Sequence, residues 1–279
     1  MALQLYHDIY KSESAQENPP ELVLIHGWGM HSLVWDDVMP GLLKHFTVRI
    51  IDLPGFGRSP VAKGDYDLDY LVTQVMAVAP EKALWMGWSL GGMIALRIAE
   101  KFPERVTALI NVASTPRFIQ GEAWKNAVPE KVLKGFYSYL LEDWEGTLIR
   151  FLALQCKDSE SQKDDTRKLR ELVYFHGLPA TQALRGGLEV LQNVDLREAV
   201  QQLTIPALYL FGEKDNLIPA NVAGDIKTLN STVEVAHIMG SSHVPFMTAP
   251  DLFLQALTDF FQTKEFDNTL GLDLSMGGE

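Results

Sequence analysis

Ser89, Asp215 and His243 are the residues whose types and order in the chain suit nucleophilic catalysis. A serine hydroxyl is a poor nucleophile at neutral pH. It needs a base to take its proton, and the base needs an acid to orient it. Ser89 stands in Gly87-Trp88-Ser89-Leu90-Gly91. The apolar run 83–86 before it has the length of a strand, and residues 92–100 after it are apolar at helical spacing. A strand that turns into a helix through Gly-x-Ser-x-Gly holds the serine in strained backbone geometry, where neighbours bearing a Cβ would clash. The turn aims the hydroxyl at a helix N-terminus, whose N–H groups and dipole favour negative charge. Gly and Ser are common in turns, so the flanking strand and helix are what make the pattern specific.

The acid and the base follow downstream. An apolar run at 207–211 leads into Gly212-Glu213-Lys214-Asp215-Asn216. Asp215 fits best as the acid and Glu213 competes with it; the plain alternative for either is a solvated turn carboxylate. His243 lies in Gly240-Ser241-Ser242-His243-Val244-Pro245-Phe246, a loop of small residues from which an imidazole can reach both Ser89 and Asp215. His237 lies inside an alternating run and reads as a packed or surface strand residue. His7, His31, His45 and His176 read as surface or capping residues, and His26 as a structural partner of its own loop. A developing oxyanion needs two N–H donors, and Leu90 after the serine and Trp28 in His26-Gly27-Trp28-Gly29 are placed to supply them. The Trp28 and Trp88 indoles are expected to wall an apolar acyl pocket, with plain core packing as the alternative. Cys156 reads as a small apolar filler, because no Cys–His signature surrounds it.

These residues need a scaffold to bring them together. Runs at 22–26, 47–52, 83–88, 106–112, 207–212 and 233–238 read as strands, and 67–79, 90–102 and 251–263 as helices. Strands alternating with helices imply an α/β fold, a mostly parallel sheet covered on both faces. The alternation stops after Pro116. From 117 to 198 the chain reads as helical and charged, with interspersed aromatic residues and no convincing strand. The expected organisation is a core formed by 1–116 and 199–263, a helical lid at 117–198 over the ligand-binding mouth, and a disordered tail at 264–279.

Composition bounds the function. The 279 residues suffice for one large α/β domain with a sizeable core. A net charge of −12 argues against non-specific binding to nucleic acid and to anionic membrane surfaces. No signal peptide and no run near the ~18 apolar residues of a membrane span is visible. His-Glu-x-x-His, paired cysteines, Gly-x-Gly-x-x-Gly and a Walker loop are all absent, so neither metal nor cofactor is expected. One cysteine allows no intramolecular disulfide, which suits a reducing compartment. A cytoplasmic monomer is expected.

With these residues in hand, the chain resembles the α/β-hydrolase superfamily over about 20–262. It is more closely similar to the pimeloyl-[acyl-carrier protein] methyl ester esterases of bacterial biotin synthesis. The shared motifs are His26-Gly27-Trp28-Gly29, Asp52-Leu53-Pro54-Gly55-Phe56-Gly57-Arg58-Ser59 and Gly87-Trp88-Ser89-Leu90-Gly91-Gly92. The more specific ones are Arg150-Phe151-Leu152-Ala153-Leu154-Gln155, Gly186-Gly187-Leu188-Glu189-Val190-Leu191 and Val194-Asp195-Leu196-Arg197. The resemblance implies a Ser89, Asp215, His243 triad, with Trp28, Leu90 and the Phe151–Gln155 segment touching the ester. It also implies removal of the methyl group that masks the free end of a pimeloyl chain carried on acyl-carrier protein. A general short-chain carboxylesterase, a carbon–carbon bond hydrolase or lyase, and a weakly catalytic receptor are the alternatives on this fold. A dehalogenase is excluded, since it needs a carboxylate where Ser89 stands.

Arg150, Lys163, Arg167 and Arg170 lie in the helical stretch, and Lys163 and Arg167, four apart, share a face. A basic face on an acidic protein suits docking of the acidic carrier protein, with Arg150, Lys163 and Arg167 as its expected contacts. Interleaved Asp158, Glu160, Asp164 and Asp165 give the plain alternative, a solvated charged face.

Overall fold

The computed structural model describes residues 4–61 and 63–262. Its sheet comprises β1 (His7–Tyr10), β2 (Glu21–Ile25), β3 (Thr47–Ile51), β4 (Ala83–Trp88), β5 (Val106–Val112), β6 (Ala207–Gly212) and β7 (Glu234–Ile238). The spatial order is β1-β3-β2-β4-β5-β6-β7, and every pairing is parallel except β1 with β3. Every residue of β4 and β6 is buried, which is why these strands read as unbroken apolar runs. β1 was not expected from sequence. It is a short edge strand, exposed apart from half-buried His7, so it carries no apolar pattern to read.

The core helices before the interruption are α1 (Met39–Leu43), α2 (Leu68–Met76) and α3 (Leu90–Lys101). Asp67 caps α2 by accepting the Tyr70 N–H at 2.7 Å. α3 packs on β4 and β5 and is buried along most of its length. Between β5 and the next core element run α4 (Glu130–Glu142), α5 (Trp144–Gln155), α6 (Gln162–Phe175) and α7 (Thr181–Asn193). The chain from 117 to 129 is not helical as expected; isolated bridges join Ile119 to Val128 and Gly121 to Trp124. The expected boundary at 198/199 falls inside α8 (Arg197–Gln202), which packs on α3 and α9 (Val222–Leu229) and so belongs to the core. α10 (Pro245–Thr248) and α11 (Pro250–Phe261) complete the described elements. The tail expected at 264–279 lies outside the described residues.

Parallel strands place their C-terminal ends on one edge of the sheet, the edge where open α/β sheets bind ligands. The ends of β2, β4, β6 and β7 deliver the Trp28, Ser89, Asp215 and His243 loops respectively to that edge.

Candidate active site

Ser89 follows the last residue of β4 and precedes the first of α3. Its backbone stands at φ +55°, ψ −115°, a conformation that costs a side-chain-bearing residue on the order of 1–3 kcal/mol. The surroundings enforce it. The Ser89 N–H donates to Val112 O at 2.9 Å, and its carbonyl accepts from Gly92 N at 3.0 Å and from Ser114 Oγ at 2.7 Å. A Cβ on Gly87 would run into the Gly91 backbone, and one on Gly91 into the Ile25 carbonyl. The two glycines of the motif are therefore required by close approach of the backbone.

Asp215 and His243 meet at the same edge of the sheet, on the loops that follow β6 and β7. His243 Nδ1 lies 2.7 Å from Asp215 Oδ2, with both side chains buried. The other carboxylate oxygen accepts the N–H groups of Leu217 at 2.7 Å and Ile218 at 2.9 Å, which fixes the carboxylate in place. With the proton on Nδ1, Nε2 is left as an acceptor. It is buried and has no hydrogen-bond partner among the described residues. Glu213, the competing acid, is exposed, and its Oε2 accepts the Gly240 N–H at 2.8 Å, bracing the turn after β7. His237 sits on the edge strand with its ring 6.1 Å from Phe211. The His243 backbone is held from two sides: its N–H donates to Gln155 O at 3.0 Å, and its carbonyl accepts from Trp88 Nε1 at 2.8 Å.

The Trp28 and Leu90 backbone N–H groups donate to no acceptor among the described residues. The loop carrying Trp28 is held by His26, whose Nε2 accepts the Leu53 N–H at 2.9 Å while Nδ1 donates to Gly27 O at 2.8 Å. Burial lowers the His26 pKa to about 4, so the ring is neutral near pH 7. Beside it, burial opposes ionisation of Asp52. The positive charge of protonated His26 and hydrogen bonds from Ser32 and Arg58 outweigh that cost and hold the carboxyl at about 2.

α5, α6 and α7 close over this edge. The Trp28 indole donates to Leu184 O on α7 at 2.8 Å, and its ring meets Phe151 of α5 edge-on at 4.8 Å. His31 Nε2 donates to Leu172 O on α6 at 2.6 Å while its Nδ1 accepts the Leu33 N–H, so His31 is the capping residue expected but is buried rather than on the surface. Ser89 is 3% exposed and His243 1%. The two indoles make different contacts. Trp28 faces the inserted helices, whereas Trp88 supports the His243 loop. Of the Phe151–Gln155 segment, Phe151 meets Trp28 and Gln155 meets the His243 backbone. Leu152 is fully buried in the core cluster, and Ala153 and Leu154 are half-buried. At ~100° per residue Phe151 and Gln155 share a face of α5, from which Ala153 is turned away. Burial pushes the Cys156 thiol up to about 12, which leaves no thiolate at neutral pH.

The expected basic face is less bare than its sequence suggests. Arg150, on α5, is 3.6 Å from Asp143, and Arg167, on α6, is 2.9 Å from Asp164 and 4.0 Å from Glu171. Sequence reading missed the Trp88, Gln155 and His31 backbone contacts, since no local pattern marks bonds made across the fold. Among the described residues no helix is long and apolar enough to cross a membrane, and no cluster of three or more His, Cys, Asp or Glu is placed to hold a metal.

A family model described as the alpha/beta hydrolase fold matches residues 20–250, and the chain belongs to that family. Curated relatives that this chain resembles over most of its length include pimeloyl-[acyl-carrier protein] methyl ester esterases. The one from Pectobacterium carotovorum is 43% identical over 87% of this chain and 94% of its own. That from Vibrio parahaemolyticus is also 43% identical, with the same coverage of both chains. Among solved structures, an esterase from Exiguobacterium antarcticum superposes with a TM-score of 0.80 at 18% identity, covering 92% of this chain and 94% of the other. At that identity the likeness speaks for the fold alone.

Proposed function

We propose that this chain is a serine carboxylesterase that hydrolyses the methyl ester of pimeloyl-acyl-carrier protein, releasing methanol in biotin synthesis. The observation that carries the reading is a strained Ser89 at the end of β4 and a buried His243–Asp215 pair delivered to the same sheet edge, in a chain 43% identical to esterases of that name. His243 Nε2 takes the Ser89 proton as the serine attacks the ester carbonyl. Asp215 holds the imidazole in the required tautomer and stabilises the imidazolium. The N–H groups of Trp28 and Leu90 receive the oxyanion, where loss of one such donor typically costs ~3–4 kcal/mol. Methanol departs with the proton from His243, and water, activated by the same base, releases the acid.

The helices α4–α7 act in this reading as a lid, and Arg150, Lys163 and Arg167 as contacts for the carrier protein. The pairing of Arg150 and Arg167 with neighbouring acids favours a second reading, a general short-chain carboxylesterase without carrier recognition. A cytoplasmic location and a monomeric state complete the proposal; the free, buried Cys156 supports the first, and light scattering of the purified protein tests the second.

The decisive test is growth without biotin of a bacterial strain lacking this esterase. The wild-type chain restores growth and Ser89→Ala does not. In vitro, Ser89→Ala loses on the order of 10⁴ or more in turnover. Failure of the wild type to restore growth, combined with full activity on p-nitrophenyl butyrate, leaves the general esterase.

A further inference from the structure

We propose that Trp88 is a positioning residue for His243. Its indole N–H and the Gln155 carbonyl of α5 clamp the base from opposite sides, so the base is set only when α5 is seated. The inference rests on the reading of Ser89, His243 and Asp215 as the catalytic residues.

The two bonds to the His243 backbone, from Trp88 Nε1 at 2.8 Å and to Gln155 O at 3.0 Å, come from elements far apart in the chain. They are the hydrogen bonds made by that backbone among the described residues. Upstream the loop is tied at Gly240 by Glu213 Oε2 at 2.8 Å and at Ser241 by the Lys214 N–H at 2.8 Å and Thr248 Oγ1 at 2.7 Å, so the two bonds above are what fix the backbone at His243 itself. Gly240 stands at φ +70°, Ser241 and Ser242 are small, and Ser242 Oγ is buried without a partner.

Trp88, by contrast, has nowhere to go. It is fully buried; its ring packs edge-on against Phe246 at 5.2 Å and lies 5.8 Å from the His243 imidazole. On its other side it lies against Gly27, where an added Cβ would fall 2.8 Å from its Cε3. Trp88 also precedes Ser89 directly on β4. One strand end therefore carries both the candidate nucleophile and the strut that locates its base, so a single rigid element sets both.

The second arm of the clamp belongs to the inserted helices. Gln155 ends α5, and Phe151, one turn earlier on the same face, packs on Trp28 of the candidate oxyanion loop. Seating α5 thus sets the base loop and the oxyanion loop together. Removing the Trp88 N–H leaves a buried carbonyl without its donor, and the loop relaxes to find another. A displacement of about 1 Å in a reacting group costs on the order of 100-fold.

The test uses the full chain and p-nitrophenyl butyrate. Trp88→Phe keeps an aromatic ring and deletes the donor. We expect kcat to fall by about 10- to 100-fold with KM within about twofold, and the rate of Ser89 labelling by a fluorophosphonate to fall in parallel. Phe246→Leu is the control: it loosens the same apolar cluster, leaves the N–H in place, lowers Tm and keeps kcat within about twofold. Placing 3-benzothienylalanine at 88 preserves the two-ring shape without the N–H, and reproduces the loss of kcat even where Trp88→Phe folds poorly. Wild-type kcat in the benzothienyl variant overturns the clamp, as does an equal kcat loss in Phe246→Leu well below its Tm. Ser89→Ala is measured alongside. If it stays active, the catalytic reading itself fails; if it is inactive while the benzothienyl variant is fully active, only the clamp does.

Discussion

The choice between Asp215 and Glu213 turns on two residues of separation and on what each carboxylate touches. Both follow the same apolar strand, and both were admissible acids from sequence. Asp215 is buried against His243 and accepts two backbone N–H groups, whereas exposed Glu213 accepts one from Gly240. Asp215→Asn should lower kcat on the order of 10⁴-fold, because an amide neither holds the imidazole tautomer nor stabilises its cation. Glu213→Gln keeps an oxygen that can accept the Gly240 N–H, so kcat should stay within about threefold. Steady-state hydrolysis of p-nitrophenyl butyrate by the two variants checks the pair; a larger loss in Glu213→Gln would reverse the assignment. Ser89 itself was legible, because its strained turn demands glycines at fixed positions. The acid was legible only as a preference for Asp215 over Glu213, because a turn carboxylate looks the same whether it faces solvent or a buried imidazole.

Loops between elements hold the site, and two of them are tied by titrating groups. His26 bridges the loops after β2 and β3, and its pKa is lowered to about 4 by burial. The unfolded chain binds this proton near pH 6.5 and the folded one near 4, so folding stability falls as pH drops through that window. The full effect is about 3 kcal/mol. Asp52, held at about 2, adds a second loss as pH falls from 3.8 toward 2, because the unfolded carboxylate protonates first. Urea midpoints between pH 7 and 4 should therefore decline, and His26→Gln, though less stable at pH 7, should show a flatter decline. An unchanged slope in that variant would place the acid sensitivity elsewhere. The elements themselves were mostly legible, since buried parallel strands are continuous apolar runs. β1 and the bridged stretch at 117–129 escaped because their pairing partners, not their composition, define them.

The whole molecule carries a net charge of −12, so an acidic carrier meets general repulsion unless a local patch offsets it. Changing Arg150, Lys163 and Arg167 together to Glu should raise KM for the carrier-bound ester at least several-fold. Hydrolysis of p-nitrophenyl butyrate should stay within about two- or threefold, as for ordinary surface changes. Added salt should weaken the wild-type reaction with the carrier-bound ester, because exposed charges are screened beyond ~10 Å at 0.1 M. Equal loss on both substrates would mean a damaged lid. No loss on either would make these cations a solvated face, on which Arg150 is already paired with Asp143 and Arg167 with Asp164 and Glu171.

Sequence by itself determined the strand–helix alternation, the turn that carries Ser89 and the order of the candidate nucleophile, acid and base, because each is written in local spacing. Burial period, glycines at a tight turn and small-residue loops all act within a few residues of one another. Tertiary structure alone decided which carboxylate meets His243, which residues of Phe151–Gln155 face the site and which groups hold the base. Those outcomes depend on contacts such as Trp88 to His243 and Gln155 to His243, between elements that touch only after the sheet has formed and the inserted helices have packed over its edge. A hydrogen bond across such a distance in the chain leaves no period in the sequence, since either partner satisfies its local pattern equally well without the other.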